Sequence, residues 1–301
     1  MHSYASVRVP ATTANLGPGF DCLGLALDLW NTVRLERGPS GVQVSGEGAE
    51  SLSRGDDNLV CRAAAALFRE IGGAAPDIAV VCHNDIPLAR GLGSSAAAVV
   101  GGLVAANALC GEPLSRPDLM RLAVEMEGHP DNVAPALLGG CQVSVMDGDD
   151  VVTSAVPLPE GLRAVLFVPE QPMPTAQARA LLPLRVSRDD AVFNIGRTAL
   201  LVSALATGDL DAVRVATQDR LHQPYRSVLF PSMRLIIQAA LDAGAAGAFL
   251  SGAGSTVLAL ARGREMTIGF EMTDAADKAG VAGEVRVVEV SATGAHVVEV
   301  G

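Results

Sequence analysis

Residues 86–97 read IPLARGLGSSAA, two glycines and two serines ahead of an unbroken run of Ala and Val. Gly91 and Gly93 permit close backbone approach and positive φ. Ser94 and Ser95 stand where a helix would begin, adding hydroxyls to its free N–H groups and positive dipole end. That combination suits a polyphosphate, with Pro87, Leu88, Ala89, Arg90, Gly91, Leu92, Gly93, Ser94, Ser95, Ala96 and Ala97 as the expected contacts. A bare Gly/Ser helix start is the plainer reading, but the flanking Pro87 and the small-residue helix favour a site. A second cluster, EGHPDN (Glu127 to Asn132), gathers two carboxylates, an imidazole and an amide. Carboxylate oxygens suit Mg2+, and an acid beside an acceptor hydroxyl can orient or deprotonate it. The same residues read equally well as a helix C-terminus with His129 as its terminal cation.

Two further segments have unusual chemistry. PATTANLGPGFDCLG (Pro10 to Gly24) puts Thr12, Thr13, Asn15 and Asp21 in a stretch rich in glycine and proline. Such composition ordinarily makes a capped surface loop. Here Phe20 and Leu23 to Leu29 lead straight into a buried strand, so the polar groups sit at a core edge where a pocket can form. Asp21 is a natural counter-charge for an ammonium group. SGAGST (Ser251 to Thr256) is either a second turn of N–H and hydroxyl donors or a tight hairpin.

Composition removes several alternatives. Lysine occurs once, as Lys278, so the other 21 basic residues are arginines, and neither a Walker A loop nor a protein-kinase lysine is available. A net charge of −11 with 3% aromatics argues against nucleic acid as a partner. The five cysteines form no CxxC pair, which fits a reducing cytoplasm and argues against a disulfide framework or a structural zinc site. The N-terminus has no apolar h-region. The uncharged stretch Gly91 to Gly111 is too rich in glycine and too poor in Leu, Ile and Phe for a membrane span, and reads as a buried helix.

PLARGLGSSAA resembles the phosphate loop of the GHMP small-molecule kinases, which work without a Walker lysine. PATTANLGPGFDCLGLAL, EGHPDNVAPALLGG and GAFLSGAGSTVLAL resemble the other motifs of the family's homoserine kinase branch, in the same order and over nearly the whole chain. The resemblance implies transfer of the γ-phosphoryl of ATP to the hydroxyl of L-homoserine, with ATP and Mg2+ required. It implies Mg2+ on Ser95 and Glu127, with Glu125 the alternative ligand. Asn15, Asp21, His129, Asp131, Arg179, Arg226 and Thr256 are the implied substrate contacts, and Asp131, Glu127 and Ser95 the implied catalytic set. Asp131 either takes the hydroxyl proton or only orients the group. Asn58, with Asp57, is the expected neighbour of the adenine. A cytoplasmic homodimer is expected. The rival readings are a kinase of another small alcohol such as mevalonate, and a non-catalytic metabolite sensor on the same fold.

The elements that must position these residues follow from periodicity. Strands are expected at Tyr4 to Val9, Leu25 to Leu35, Gly41 to Ser45, Ile78 to His83 and Cys141 to Met146. Helices are expected at Leu59 to Ile71, from Ser94 to Leu109, and at Pro117 to Glu127. After the polar DGDD the pattern predicts a strand at Arg163 to Val168 and helices over Ala176 to Leu182, Asp189 to Ala206, Leu210 to Gln218 and Ser232 to Ala243. Strands at Gly247 to Leu250 and Ser255 to Ala261, a helix over Glu265 to Ala279, and strands at Glu284 to Val290 and Ala295 to Val300 complete it. The fold class is α+β in two lobes. The resemblance makes residues 1–155 an ATP-binding lobe like ribosomal protein S5 domain 2, and residues 156–301 a ferredoxin-like α/β lobe.

Overall fold

A computed structural model describes residues 2–72 and 76–301. The first sheet is built on β1 (Tyr4–Ala14) and β2 (Leu23–Arg37), which pair antiparallel along their whole length. β3 (Gly41–Gly46) lies parallel to β4 (Ile78–Asn84), and β4 pairs with the second half of β2. The first half of β2 pairs instead with β5 (Cys141–Asp147), which turns through a two-residue hairpin into β6 (Asp150–Val156).

Four helices cover this sheet: α1 (Leu59–Glu70), α2 (Ser94–Leu109), α3 (Arg116–Glu127) and α4 (Pro130–Leu138). α2 has no polar face and is buried on nearly every side, against β1, β2 and the other three helices. α1 starts at Asn58, whose side chain accepts from the Val60 N–H; α3 starts at a Ser115/Asp118 capping box. No described helix is long and apolar enough to cross a membrane.

The second sheet has the order β10-β7-β9-β8, all antiparallel, from β7 (Arg163–Pro169), β8 (Gly247–Leu250), β9 (Val257–Ala261) and β10 (Gly283–Glu289). α5 (Thr175–Ala180), α6 (Arg188–Thr207), α7 (Leu210–Ala216) and the single turn α8 (Gln223–Arg226) come between β7 and β8. α9 (Met233–Asp242) and α10 (Glu265–Lys278) pack on the sheet. This order is the ferredoxin-like arrangement expected of the second lobe.

Four elements differ from the sequence pattern. α4, β6 and the single turn α8 were not expected, and β1 runs on to Ala14, burying Thr12 and Thr13 where a turn was read. The division expected at residue 155 falls inside β6, which belongs to the first sheet. The last strand, β11 (His296–Val300), also pairs with β1, so the first sheet takes in a segment from the far end of the second half.

Candidate active site

One cleft of about 630 Å³ opens between the lobes. It is lined by Pro87 to Ser95 from the loop before α2, by Asn15 and Asp21 after β1, and by Asn58 and Asp57 before α1. Glu127 at the end of α3, His129 and Asp131 at the start of α4, and Arg179 and Arg226 from the second lobe also reach it. Residues separated by over two hundred positions thus meet in one cavity. Three expected residues do not. Ala96 and Ala97 are fully buried in α2, facing the core, and Thr256 is fully buried on the β8–β9 turn, its hydroxyl without a partner. Helix periodicity explains the first two: Ser94, Ser95 and Ala98 share the face of α2 that lines the cleft, and Ala96 and Ala97 point away from it.

The phosphate loop is held by the protein around it. Leu92 accepts from the Thr12 N–H, Ala89 from the Met173 N–H, and Arg90 from the Thr256 N–H. Ser251 donates its hydroxyl to the Gly91 carbonyl at 2.6 Å, so the SGAGST turn backs the loop and spends this hydroxyl on it. Gly93 caps α2 at φ 69°, and a Cβ there would lie 1.9 Å from the Thr12 hydroxyl. No side chain caps the helix, leaving its first-turn N–H groups for another acceptor. Arg90 is not a free cation. Its guanidinium donates to the carbonyls of Pro169, Leu88 and Glu170, and so ties the loop to the second lobe.

At the helix start, Ser95 Oγ donates to Glu127 Oε2 at 2.9 Å. Burial raises the Glu127 pKa, while the Ser95 hydrogen bond opposes the shift. Glu125 instead pairs with Arg121 at 3.7 Å with its side chain 66% exposed, and does not line the cleft. Half a turn of helix separates the two carboxylates, and only Glu127 faces inward.

Across the cleft, Gly24 lets the first turn of α4 settle on β2: a Cβ there would meet the Asp131 carbonyl at 1.8 Å. Asp131 is 2% exposed, and its Oδ1 meets His129 Nδ1 and receives the Asn132 amide at 3.3 Å. Burial works against a charge on His129, but the hydrogen bond and charge of Asp131 outweigh it and raise the His129 pKa. Asn15 takes φ 71° and Asp21 φ 57°, left-handed values that Asn and Asp tolerate. The Asn15 side chain accepts the Asp21 N–H at 3.0 Å and donates to the Gly252 carbonyl at 3.0 Å, so it shapes the loop. Asn58 likewise spends both ends of its amide on the Val60 N–H and the Ser53 carbonyl.

Asp21 and Arg179, both expected to contact the substrate, hold each other: two parallel hydrogen bonds at 2.6 and 3.1 Å make a bidentate pair. Arg226 is 2% exposed and its Nε has no partner. Sequence reasoning passed over the apolar wall of the cleft, to which Val44, Leu52, Leu59 and Cys82 contribute along with Asn58. No spacing signal marks that wall, because it is assembled from four different elements.

The chain matches two family descriptions, GHMP kinases N terminal domain over residues 58–140 and GHMP kinases C terminal over residues 201–280. A homoserine kinase of Moorella thermoacetica is 48% identical over 91% of this chain and 93% of its own length. This chain belongs to the homoserine kinase family of GHMP kinases. A second homoserine kinase, from Gloeobacter violaceus, is 51% identical over 84% of the chain and 86% of its own length. The crystal structure of homoserine kinase from Cytophaga hutchinsonii superposes with a TM-score of 0.89 at 32% identity, covering 99% of this chain and 98% of that one. The two-lobed fold is therefore the GHMP kinase fold.

Proposed function

We propose that this homoserine kinase family member transfers the γ-phosphoryl of ATP to the side-chain hydroxyl of L-homoserine, forming O-phospho-L-homoserine for L-threonine synthesis. One observation carries the reading: an uncapped helix N-terminus behind a Gly/Ser loop shares a cleft with a carboxylate and two arginines suited to a zwitterion. The loop N–H groups and the α2 dipole receive the phosphates. The apolar end beside Asn58 receives the adenine. Asp21 faces the ammonium, and Arg179 and Arg226 face the carboxylate.

Ser95 and Glu127 offer an all-oxygen donor set, which fits Mg2+. Asp21, His129 and Asp131 also bring ligand atoms within 4.8 Å of one another. That group includes an imidazole nitrogen, and Asp21 is already committed to Arg179, so it suits a substrate pocket better. Mg2+ held by Ser95 and Glu127 would supply neutralisation of phosphate charge. Asp131 keeps Oδ1 for His129 and Asn132 and turns Oδ2 to the acceptor hydroxyl. Phosphoryl transfer is loose, so positioning that hydroxyl in line supplies most of what a base would.

Five free cysteines support a reducing, cytoplasmic compartment. A coupled assay for ADP formation with L-homoserine, mevalonate, galactose and shikimate tests the reading. Turnover with homoserine alone is expected, and comparable kcat/KM with mevalonate, which has no ammonium for Asp21, overturns it. Light scattering on the same preparation reads the expected homodimer.

A further inference from the structure

Behind the cleft lies a buried polar network that the phosphoryl-transfer chemistry does not use. Asp219 accepts the N–H groups of Leu221, His222 and Gln223 and the Asn194 amide, which fixes the turn leading into α8. Asn194 also donates to the Pro18 carbonyl at 3.0 Å, joining the turn to the loop that carries Asp21. Within this turn His222 has no solvent exposure. Its Nε2 lies 2.7 Å from the Gly17 carbonyl, and its Nδ1 lies 2.9 Å from Arg226 Nη1.

The proton on that ring can be placed by elimination. A carbonyl only accepts, so Nε2 carries the hydrogen. A guanidinium only donates, so Nδ1 presents its lone pair. His222 is thus a neutral imidazole in one tautomer, fixed from both ends. Burial drives its pKa down to about 4, with the Arg226 charge acting the same way and Asp219 opposing both. Arg226 Nη1 uses its other hydrogen on the Gly252 carbonyl at 2.8 Å. That commits the Nη1 end of the guanidinium and leaves Nε buried without a partner, so Nη2 is the nitrogen left for a ligand in the cleft that Arg226 lines. Phe20 closes the arrangement, stacked on His222 at 5.3 Å and lying 5.5 Å from the Arg226 guanidinium.

We propose that His222 is a positioning residue for substrate recognition: as a tautomer-locked neutral acceptor it aims the Arg226 guanidinium at the amino-acid carboxylate. An acidic residue in its place would neutralise Arg226 and weaken its hold on an anion. A neutral acceptor orients the cation and leaves its charge for the ligand. The proposal rests on the substrate reading above.

His222→Asn and His222→Gln separate the two ring contacts. Asn puts an oxygen where Nδ1 stands and keeps the acceptor for Arg226, whereas Gln puts an amide N–H where Nε2 stands and keeps only the Gly17 contact. Losing a hydrogen bond to a charged group should raise KM for homoserine about 10- to 100-fold in His222→Gln, with kcat and KM for ATP near wild type. His222→Asn should stay within about threefold of wild type for all three, since the Arg226 acceptor is retained. Equal loss of homoserine affinity in both variants, or a parallel rise in KM for ATP, would overturn the proposal. Nitrogen-15 NMR of the wild-type histidine rings gives a readout that needs neither substrate nor variant. A neutral Nε2–H ring for His222 at pH 7 is expected, and a protonated ring or an Nδ1–H tautomer refutes the proposal. If the wild-type protein fails to phosphorylate homoserine, the substrate reading falls while the tautomer result still judges His222.

Discussion

The bidentate pair between Asp21 and Arg179 sets a measurable condition on substrate entry. A zwitterion must take the place of each partner for the other, its ammonium going to Asp21 and its carboxylate towards Arg179. Both side chains are about a third exposed, at 34% and 36%. The pair therefore contributes only about 0–1 kcal/mol, which is lost when it opens. A charge-assisted bond from Asp21 to the ammonium returns about 1.5–3 kcal/mol. Asp21→Asn removes the larger contribution and spares the smaller, a net loss of about 2 kcal/mol, or roughly thirtyfold in kcat/KM for homoserine. The des-amino analogue 4-hydroxybutyrate never engages Asp21, and the substitution frees Arg179 for its carboxylate. With that substrate the variant should equal wild type or exceed it, by up to about fivefold. Steady-state ADP formation with both substrates gives the comparison. A matching fall for the two would refute the ammonium assignment and the exchange together.

Glu127→Gln should lower kcat by more than a hundredfold, about 3 kcal/mol or more, while Glu125→Gln stays near wild type because that carboxylate faces Arg121 and solvent. The reverse pattern in the same ADP assay would move the metal ligand by half a turn of α3. The His129–Asp131 contact predicts a pH signature in stability. His129 titrates higher in the folded protein than in the unfolded chain, so its stabilisation is full below about pH 6.5 and is lost as pH rises through the folded value. The melting-temperature gap between wild type and Asp131→Asn should be widest near pH 6 and narrow above that value, and a gap that widens with pH contradicts the pairing.

Much of this was legible in the sequence, and what was not has physical causes. The Gly/Ser loop, the strand before it and the apolar helix after it could be read because local spacing alone defines them. α4 was missed because EGHPDN was read as a helix C-terminus, yet Pro130 occupies the first turn of a new helix, where no N–H is needed. β6 was missed because DGDD was read as the end of a lobe, when the Gly148-Asp149 pair inside it is also a two-residue hairpin signal. Gly93 was singled out as leaving room for a phosphate, and the structure adds a second cause in the Thr12 hydroxyl beside it. The Asp21–Arg179 pair and the use of Arg90 as a strut depend on how the lobes close, which no local pattern encodes. His222 drew no notice, since a lone histidine in LHQPYR has no spacing that announces a partner.

The pairing of β11 with β1 bears on the order in which the polypeptide leaves the ribosome. Ala5 precedes its partner Val300 by 295 positions, so it is made long before that partner exists. Throughout synthesis of the second lobe, β1 must wait with one row of backbone N–H and C=O groups uncovered, a template for pairing with other nascent chains. The first lobe therefore cannot be finished as a unit before the second emerges, despite lying earlier in the gene. The waiting stretch is Ala5 to Arg8; Thr12, whose N–H fixes the carbonyl of Leu92 in the phosphate loop, lies beyond it on β1 and pairs with Ala26 of β2.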